Sequence, residues 1–201
     1  EVENWRRVKL WARGQGDNPG WDIAVDAQDR PRIAFYPEYM EDGSGEQLYF
    51  GWCDVGCLET ESWTFNNLGL GKDNGADPDL VFDDEGNIWI AFVAWDGSGL
   101  GLVACEADCT APDAVWQDLL IDSYEVLEAE WNVVLSPTCD GGIWQAWTPS
   151  LAFDPAGNLR LAYDATYHGY CWWDTDYERW VESYQFWLIQ RSVRGVLLTQ
   201  E

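Results

Sequence analysis

The sequence predicts an all-β protein made of three repeated four-stranded sheets. Each repeat is a short apolar run, a turn that begins with Asp, and a second apolar run with Ala at its centre. Recurrence of such a segment along a chain is typical of radially repeated β-sheets. The three copies read WDIAVDAQDRPRIAFY from Trp21, PDLVFDDEGNIWIAFV from Pro78 and PSLAFDPAGNLRLAYD from Pro149.

Alignment of the copies predicts the first two strands of each sheet, here called strands a and b. In strand b, alternate apolar residues share one face, and the central Ala faces the other way. A strand that is apolar on both faces is covered on both sides, so we expect neighbouring sheets to stack closely. The predicted spans are Ile23–Val25, Leu80–Phe82 and Leu151–Phe153 for strand a, and Arg32–Tyr36, Trp89–Val93 and Arg160–Asp164 for strand b.

The geometry of the turn between strands a and b accounts for the residue types found there. Its first Asp is expected to accept backbone N–H bonds, as in Asx turns. Gly86 and Gly157 stand where the hairpin loop needs a positive φ, and Asp29 replaces Gly in the first copy. The predicted turns cover 26–30, 83–87 and 154–158.

Strands c and d complete each predicted sheet. Trp5–Leu10 looks like a further d strand that precedes any a strand, so 1–12 is expected to complete a sheet in the same or a neighbouring chain. The units span 19–68, 76–121 and 148–201 of one repeat domain covering 1–201. The predicted spans are Leu48–Cys53, Leu100–Cys105 and Tyr184–Gln190 for strand c, and Trp63–Leu68 and Trp116–Ile121 for strand d.

This strand order resembles the closure of β-propellers. The turns of the D-x-x-G-N type and the Cys pair followed by Trp resemble secreted bacterial propeller repeats of the sialidase-like, lectin-like kind, over Trp5–Ile121 and Thr148–Gln190. The resemblance implies three propeller-like four-stranded blades and no particular activity. Closed propellers have ~4–8 blades, which leaves a two-chain ring, an unclosed filament or a fragment of a longer propeller.

Six cysteines indicate an oxidising compartment. CDVGC and CEADC share one spacing, and each precedes a Trp. Disulfides within the two pairs are expected in a secreted or cell-surface protein, and one zinc site with four Cys ligands is the alternative. A third bridge is expected by elimination. The predicted bridges are Cys53–Cys57, Cys105–Cys109 and Cys139–Cys171.

The charge of the chain excludes some partners. The net charge is −25, with 36 acidic and 11 basic residues. Such a field repels nucleic acid, whose binding depends on neutralised phosphates, and it repels anionic membranes. No apolar run approaches the ~20 residues of a membrane span. The chain begins at Glu1 without a signal-like segment, and we expect a mature or trimmed form.

Acidic residues near the second repeat suggest a calcium site. Ca²⁺ requires crowded oxygen ligands, and one candidate group is Asp73, Asp77 and Asp79. The other candidate group begins at Asp83 and includes Asp84 and Glu85. The structural alternative is hairpin geometry and surface solvation.

Two insertions, at 127–147 and 165–183, are rich in Trp. Trp faces stack on sugar rings, so Trp144, Trp147, Trp172 and Trp173 suggest a glycan site. The alternative is that these side chains belong to the core or to a subunit interface.

The sequence points away from catalysis. The arginines show no recurrent triad, the S-x-D-x-G-x-T-W box is absent, and His168 is the only histidine. We therefore expect a non-catalytic structural protein that self-associates by strand exchange as in β-augmentation. A lectin-like module and a sialidase-like glycoside hydrolase are the alternatives. The proposed exchange pairs Trp5, Val8 and Leu10 with Tyr184, Phe186 and Leu188.

Overall fold

The computed structural model describes residues 20–37, 46–71, 73–94, 99–130, 142–174 and 179–193. In the last two ranges, side chains are described for 144–169 and 188–192. The all-β prediction is confirmed for this part of the chain, which forms three antiparallel sheets and little helix.

The first and second sheets each contain four strands in chain order. In the first sheet the order is β1-β2-β3-β4, and in the second it is β5-β6-β7-β8. Every neighbouring pair is antiparallel, as the a-b-c-d assignment predicts. The strands are β1 Trp21–Val25, β2 Pro31–Phe35, β3 Tyr49–Trp52, β4 Thr64–Asn67, β5 Asn74–Phe82, β6 Ile88–Ala94, β7 Gly99–Cys105 and β8 Gln117–Asp122.

The third sheet has three described strands in the order β11-β10-β9. They are β9 Gly142–Phe153, β10 Leu159–Asp174 and β11 Arg179–Val193. The helix α1, Tyr124–Glu130, follows β8. Residues 165–174 and 179–183, expected to be part of an insertion, instead belong to β10 and β11 and pair with each other. The strand expected from 1–12 lies outside the described residues.

The three a–b turns form the same hydrogen bonds. Asp26, Asp83 and Asp154 each accept backbone N–H bonds through Oδ1 from the second and the fourth residue that follow. At the position that needs a positive φ, Gly86 has φ 87° and Gly157 has φ 78°, while Asp29 adopts 58° in the first copy. The predicted turn chemistry is therefore present in all three copies.

Two apolar layers separate the three sheets. The first layer includes Ala34 and Phe50 of the first sheet and Ile90 of the second. The other layer includes Ala91 and Leu161 of the second and third sheets. Because Ala34 and Ala91 carry only a methyl group and are fully buried, neighbouring sheets can approach closely. The second sheet is thus covered on both faces.

Two of the three predicted disulfides are present. Cys53–Cys57 and Cys105–Cys109 have Cα–Cα distances of 5.6 and 5.8 Å, values within the usual range for disulfides. Cys139 and the side chain of Cys171 lie outside the described residues. These disulfides are compatible with a secreted or extracellular protein. The helices of the described part are too short or too polar to cross a membrane.

Candidate functional site

The first strands of the three sheets, β1, β5 and β9, lie beside one another and form what we call the inner row. Asp22 Oδ2 accepts the Leu80 N–H at 2.8 Å, which joins β1 to β5. Asp79 Oδ2 accepts the Leu151 N–H at 2.6 Å, which joins β5 to β9. Asp22 and Asp79 occupy the same position of the repeat, so one type of contact links both sheet pairs.

The inner row is irregular at one repeat position. The β5–β6 register shifts between Ala76 and Asp79, and the β9–β10 register shifts near Thr148. Asp77 and Thr148, each followed by Pro, have φ values of 46° and 45°. Bulges redirect side chains, and such backbone strain often accompanies function. This position is therefore the first place to look for a site.

Gly20 occupies the equivalent position ahead of β1. A Cβ atom added there would lie 2.5 Å from the backbone nitrogen of Asp77. That separation is far below van der Waals contact, so the backbone approach of β1 to β5 requires a residue without a side chain. The inner row is thus held together by backbone contact as well as by carboxylates.

Two carboxyl groups of the inner row have perturbed acidity. Burial raises the pKa of Asp77, and a hydrogen bond from the Thr148 backbone opposes the rise. Burial raises the pKa of Asp79, the Leu151 N–H opposes the rise, and the charge of Asp22 adds to it. A raised carboxyl pKa beside a second carboxylate is a property of general acids.

A cavity of about 490 Å³ opens at the opposite, hairpin end of the first two sheets. Its walls include the Asp26 and Asp83 turns and the loop of the second disulfide. Arg32 in this region is buried and pairs with Asp26 and Asp54 at 2.9 Å each. Its Nη1 also donates to the Cys53 carbonyl at 3.0 Å. These bonds tie the first disulfide loop to the hairpin, which explains the buried charge structurally.

A buried polar group joins the second and third sheets and was missed by the sequence analysis. Asp122 Oδ2 accepts bonds from the Tyr163 hydroxyl at 2.5 Å and the Arg191 Nε at 2.7 Å. Burial and the bond to Asp122 raise the pKa of the Tyr163 hydroxyl. Bonding to Asp122 likewise raises the pKa of Arg191. In this group the Tyr163 phenol stays neutral and the Arg191 guanidinium stays charged. The hydrogen bonds between two sheets give the group a structural role.

The predicted calcium ligands do not converge. Within the described ranges, no three or more His, Cys, Asp or Glu residues form a group that could hold a metal ion. The Asp83 carboxylate is occupied by its own turn and by the Trp89 indole N–H. Asp79 is bonded to Leu151, and Asp73 has a positive φ of 65° next to β5. The hairpin alternative explains Asp83 without a metal.

The predicted glycan-binding residues have different positions. Trp144 is only 4 % exposed, and its ring packs edge-on against Tyr167 at 5.4 Å. It belongs to the core between the second and third sheets, so its assignment to a sugar-stacking surface is wrong. Trp147 is half-buried. Trp172 and Trp173 belong to β10, but their side chains lie outside the described residues.

The predicted assembly strands are partly described. Tyr184, Phe186 and Leu188 belong to β11, which is an outer strand among the three described strands of the third sheet. Leu188 is 68 % exposed. The side chains of Tyr184 and Phe186, and the whole segment with Trp5, Val8 and Leu10, lie outside the described residues. Strand exchange therefore stays a prediction.

An exposed apolar face on the first sheet was also missed. Trp21, Ile23 and Val25 of β1 are 65, 49 and 57 % exposed. They alternate along the strand and so share one face. The repeat alignment already marks these residues as an apolar face, because they occupy the positions of Pro78, Leu80 and Phe82. The alignment cannot show that this face is covered by a neighbouring sheet in one copy and exposed in another.

No family model matches this chain, and no curated protein matches it. Among solved structures, it is similar to an endo-1,4-beta-xylanase from Bacteroides thetaiotaomicron, with TM-score 0.43, 11 % identity and coverage of 94 % of this chain and 64 % of that chain. It is also similar to a xylan beta-1,4-xylosidase from Bacillus halodurans, with TM-score 0.43, 12 % identity and coverage of 86 % and 32 %. The chain thus spans less than two thirds of either protein. These TM-scores are too low to establish a shared fold, and the resemblance to sialidase-like and lectin-like repeats stays a prediction.

Proposed function

We propose that the three sheets are propeller-like blades of a non-catalytic extracellular structural protein, whose copies associate into a ring or a filament. The observation that carries this proposal is the apolar outer face of β1, with Trp21 65 % exposed. Contiguous apolar surface of this kind favours association with another protein surface. The side-by-side inner row supports a radial arrangement of the sheets.

Mass in solution tests the proposal most directly. We expect the purified chain to form species larger than a monomer in light scattering, and rings or filaments in electron micrographs. A chain that stays monomeric at every concentration would contradict the proposed assembly.

Strand exchange is the proposed means of closing the third sheet. Deletion of 1–12 should leave a soluble chain that no longer assembles, because the exposed edge of β11 loses its partner strand. The substitution Val55→Asp, at a loop residue that is 83 % exposed, is the control and should leave assembly intact. Normal assembly of the chain that lacks 1–12 would rule out strand exchange.

A glycoside hydrolase is the second candidate. It is favoured by the raised pKa values of Asp77 and Asp79 at an irregular part of the inner row. Paired carboxyl groups ~5–9.5 Å apart serve as acid and base or nucleophile in glycosidases. A broad panel of polysaccharides supplies the substrates to test. Release of reducing sugar that is lost in Asp77→Asn and kept in Asp84→Asn would establish this activity, and no release from a broad polysaccharide panel would reject it.

A further inference from the structure

The exposed face of the first sheet corresponds to faces that are covered in the other two sheets. Leu80 on β5 and Leu151 on β9 are buried against the preceding sheet. Register shows that Ile23 is their equivalent, because Ile23 lies opposite Ile33 as Leu80 lies opposite Ile90. Yet Ile23 is 49 % exposed. The first sheet therefore presents a face built to be covered by another sheet.

The outer face of the third sheet shows the complementary pattern. Leu188 lies opposite Asp164 on β10, which corresponds to Leu100 opposite Val93 in the second sheet. The equivalent residue in the first sheet is Leu48. Leu48 and Leu100 are fully buried against the following sheet, whereas Leu188 is 68 % exposed. The third sheet thus carries an exposed leucine at a position that each internal interface covers.

Both carboxylate contacts of the inner row run from one sheet to the next sheet along the chain. Asp22 and Asp79 each accept the N–H of the strand a leucine in the following sheet. The next position in this series is Ser150, which is exposed on β9. In the first sheet, Ile23 occupies the repeat position of Leu80 and Leu151, whose N–H groups are bonded to a carboxylate of the preceding sheet. By repeat position, the two end faces therefore correspond to the two halves of an internal interface.

From these equivalences we propose that the outer face of the first sheet docks on the outer face of the third sheet of a second copy. The contact repeats the geometry of the two internal interfaces. Trp21, Ile23 and Val25 of one copy pack on the face of the other copy that carries Leu188, and the Ser150 hydroxyl lies beside the Ile23 N–H. Such a contact joins unlike surfaces, so copies add head to tail into a closed ring or an open filament. This inference rests on the proposed self-association and names its surfaces.

The docking contact is weaker than the internal ones. On the third sheet, Asp164 and Gln190 stand at the positions of Val93 and Leu102 in the second sheet. Both polar side chains are exposed, and covering them costs part of the free energy gained from burying apolar surface. A serine in place of aspartate also removes a charged acceptor. We therefore expect reversible association that depends on concentration.

Sedimentation velocity across a wide concentration range tests the two surfaces separately. Ile23→Asp places a charge in one half of the contact, and Leu188→Asp places it in the other. Each variant alone should weaken association by about a hundredfold or more, because a buried unpaired charge is costly. Val55→Asp, on an 83 % exposed loop residue outside both faces, is the matched control and should associate normally.

Mixing the two variants separates head-to-tail docking from other arrangements. The Leu188→Asp chain keeps an intact first-sheet face and the Ile23→Asp chain keeps an intact third-sheet face. Their mixture should therefore form dimers and nothing larger. Loss of association in Ile23→Asp with normal association in Leu188→Asp would instead indicate pairing of two first-sheet faces and would overturn the inference.

Ser150→Asp tests the contact in the opposite direction, by an expected gain of association. It restores the carboxylate found in the two internal interfaces, and a charge-assisted hydrogen bond should tighten association by about tenfold. Unchanged or weaker association of this variant counts against the inference. If the wild-type chain does not associate at all, the proposed function itself fails. If the wild type associates and both Asp variants behave like it, only the docking surfaces named here are wrong.

Discussion

The first and second sheets follow the same repeat but differ in what covers them. Leu80 and Ile90 of the second sheet are buried, while Ile23 of the first sheet is half-exposed. On their other faces, Ala34 and Ala91 are both fully buried against the following sheet. The comparison shows that the repeat fixes which residues form an apolar face, and that the place in the stack fixes whether this face is covered.

Truncation of equivalent isoleucines tests this comparison with the largest expected effect. Ile90→Ala should lower the free energy of unfolding by about 2–5 kcal/mol, because it leaves a cavity between the first two sheets. Ile23→Ala should cost about 0.5 kcal/mol or less in dilute protein, as is usual for exposed positions. Urea denaturation followed by Trp fluorescence measures both. Equal losses would show that the first sheet is covered within the monomer.

The inter-sheet carboxylates test whether the two internal interfaces are equivalent. Asp79→Ala leaves the Leu151 N–H without its acceptor and should cost about 1–3 kcal/mol. Asp22→Ala should cost a similar amount through Leu80. A loss confined to one variant would show that the two interfaces are held differently.

Asp79→Asn adds a dependence on pH, because an amide oxygen can still accept the Leu151 N–H. The pKa of Asp79 is raised in the folded protein, so its favourable contribution is present below the ordinary Asp pKa. That contribution is lost as pH rises through the higher folded value. Relative to the wild type, Asp79→Asn should therefore gain stability as pH rises through this range. Melting curves of both proteins at several pH values measure this difference. If the pKa of Asp79 is not raised, the stabilities of the wild type and the variant will change in parallel with pH.

Removal of each disulfide should change the free energy of unfolding by a smaller amount, which differs between the first and second sheets. Replacing both cysteines of a pair by Ser should cost at most about 2 kcal/mol, because the closed loop is short. The Cys105–Cys109 pair should cost more, since both residues are buried in the layer between the first two sheets. Cys57 of the other pair is only half-buried. Thermal unfolding of the two double variants measures the difference, and a larger loss at Cys53–Cys57 would contradict it.

The hairpin turns give the smallest expected effect, which is a change in acidity. Burial opposes the shift at Asp26, but N–H donors and Arg30 and Arg32 lower its pKa. Backbone bonding at Asn158, together with Arg160, lowers the pKa of Asp154. Such carboxylates contribute stability above the ordinary Asp pKa that is lost as pH falls through the folded value.

Arg160→Gln should therefore raise the pKa of Asp154. Arg30→Gln should raise that of Asp26 less, because the buried Arg32 remains bonded to it at 2.9 Å. Carboxyl NMR titration of the two variants measures both shifts. A larger shift at Asp26 would show that Arg32 does not hold its carboxylate.

Local pattern predicted much of the fold. Strands a and b of each copy, the Asx turns at Asp26, Asp83 and Asp154, and the two short-range disulfides follow from neighbouring residues alone. The long hairpin of β10 and β11 was not predicted, because a run such as Ala165–Tyr170 mixes polar and aromatic residues without clear alternation. The short helix from Tyr124 to Glu130 was missed for lack of any longer periodic signal.

The candidate site was predicted less well than the fold. Asp77 and Asp79 were selected for a metal, but the structure shows inter-sheet bonds and raised pKa values instead. Trp144 was selected for glycan binding and is a core residue. Both errors have one cause. The sequence shows that a residue is Asp or Trp, but it does not show whether the side chain faces solvent or a neighbouring sheet.

The sequence by itself determined strands a and b of each copy, the Asp residues that begin the three turns, and the Cys53–Cys57 and Cys105–Cys109 pairs, because these features depend on contacts within a few residues. Only the tertiary structure decided that Asp22 and Asp79 join successive sheets, and that Trp21, Ile23 and Leu188 remain exposed at the two ends. These properties depend on which surfaces meet across long separations in the chain. A repeated segment has the same local pattern in every copy, whereas its neighbours in space differ from one copy to the next.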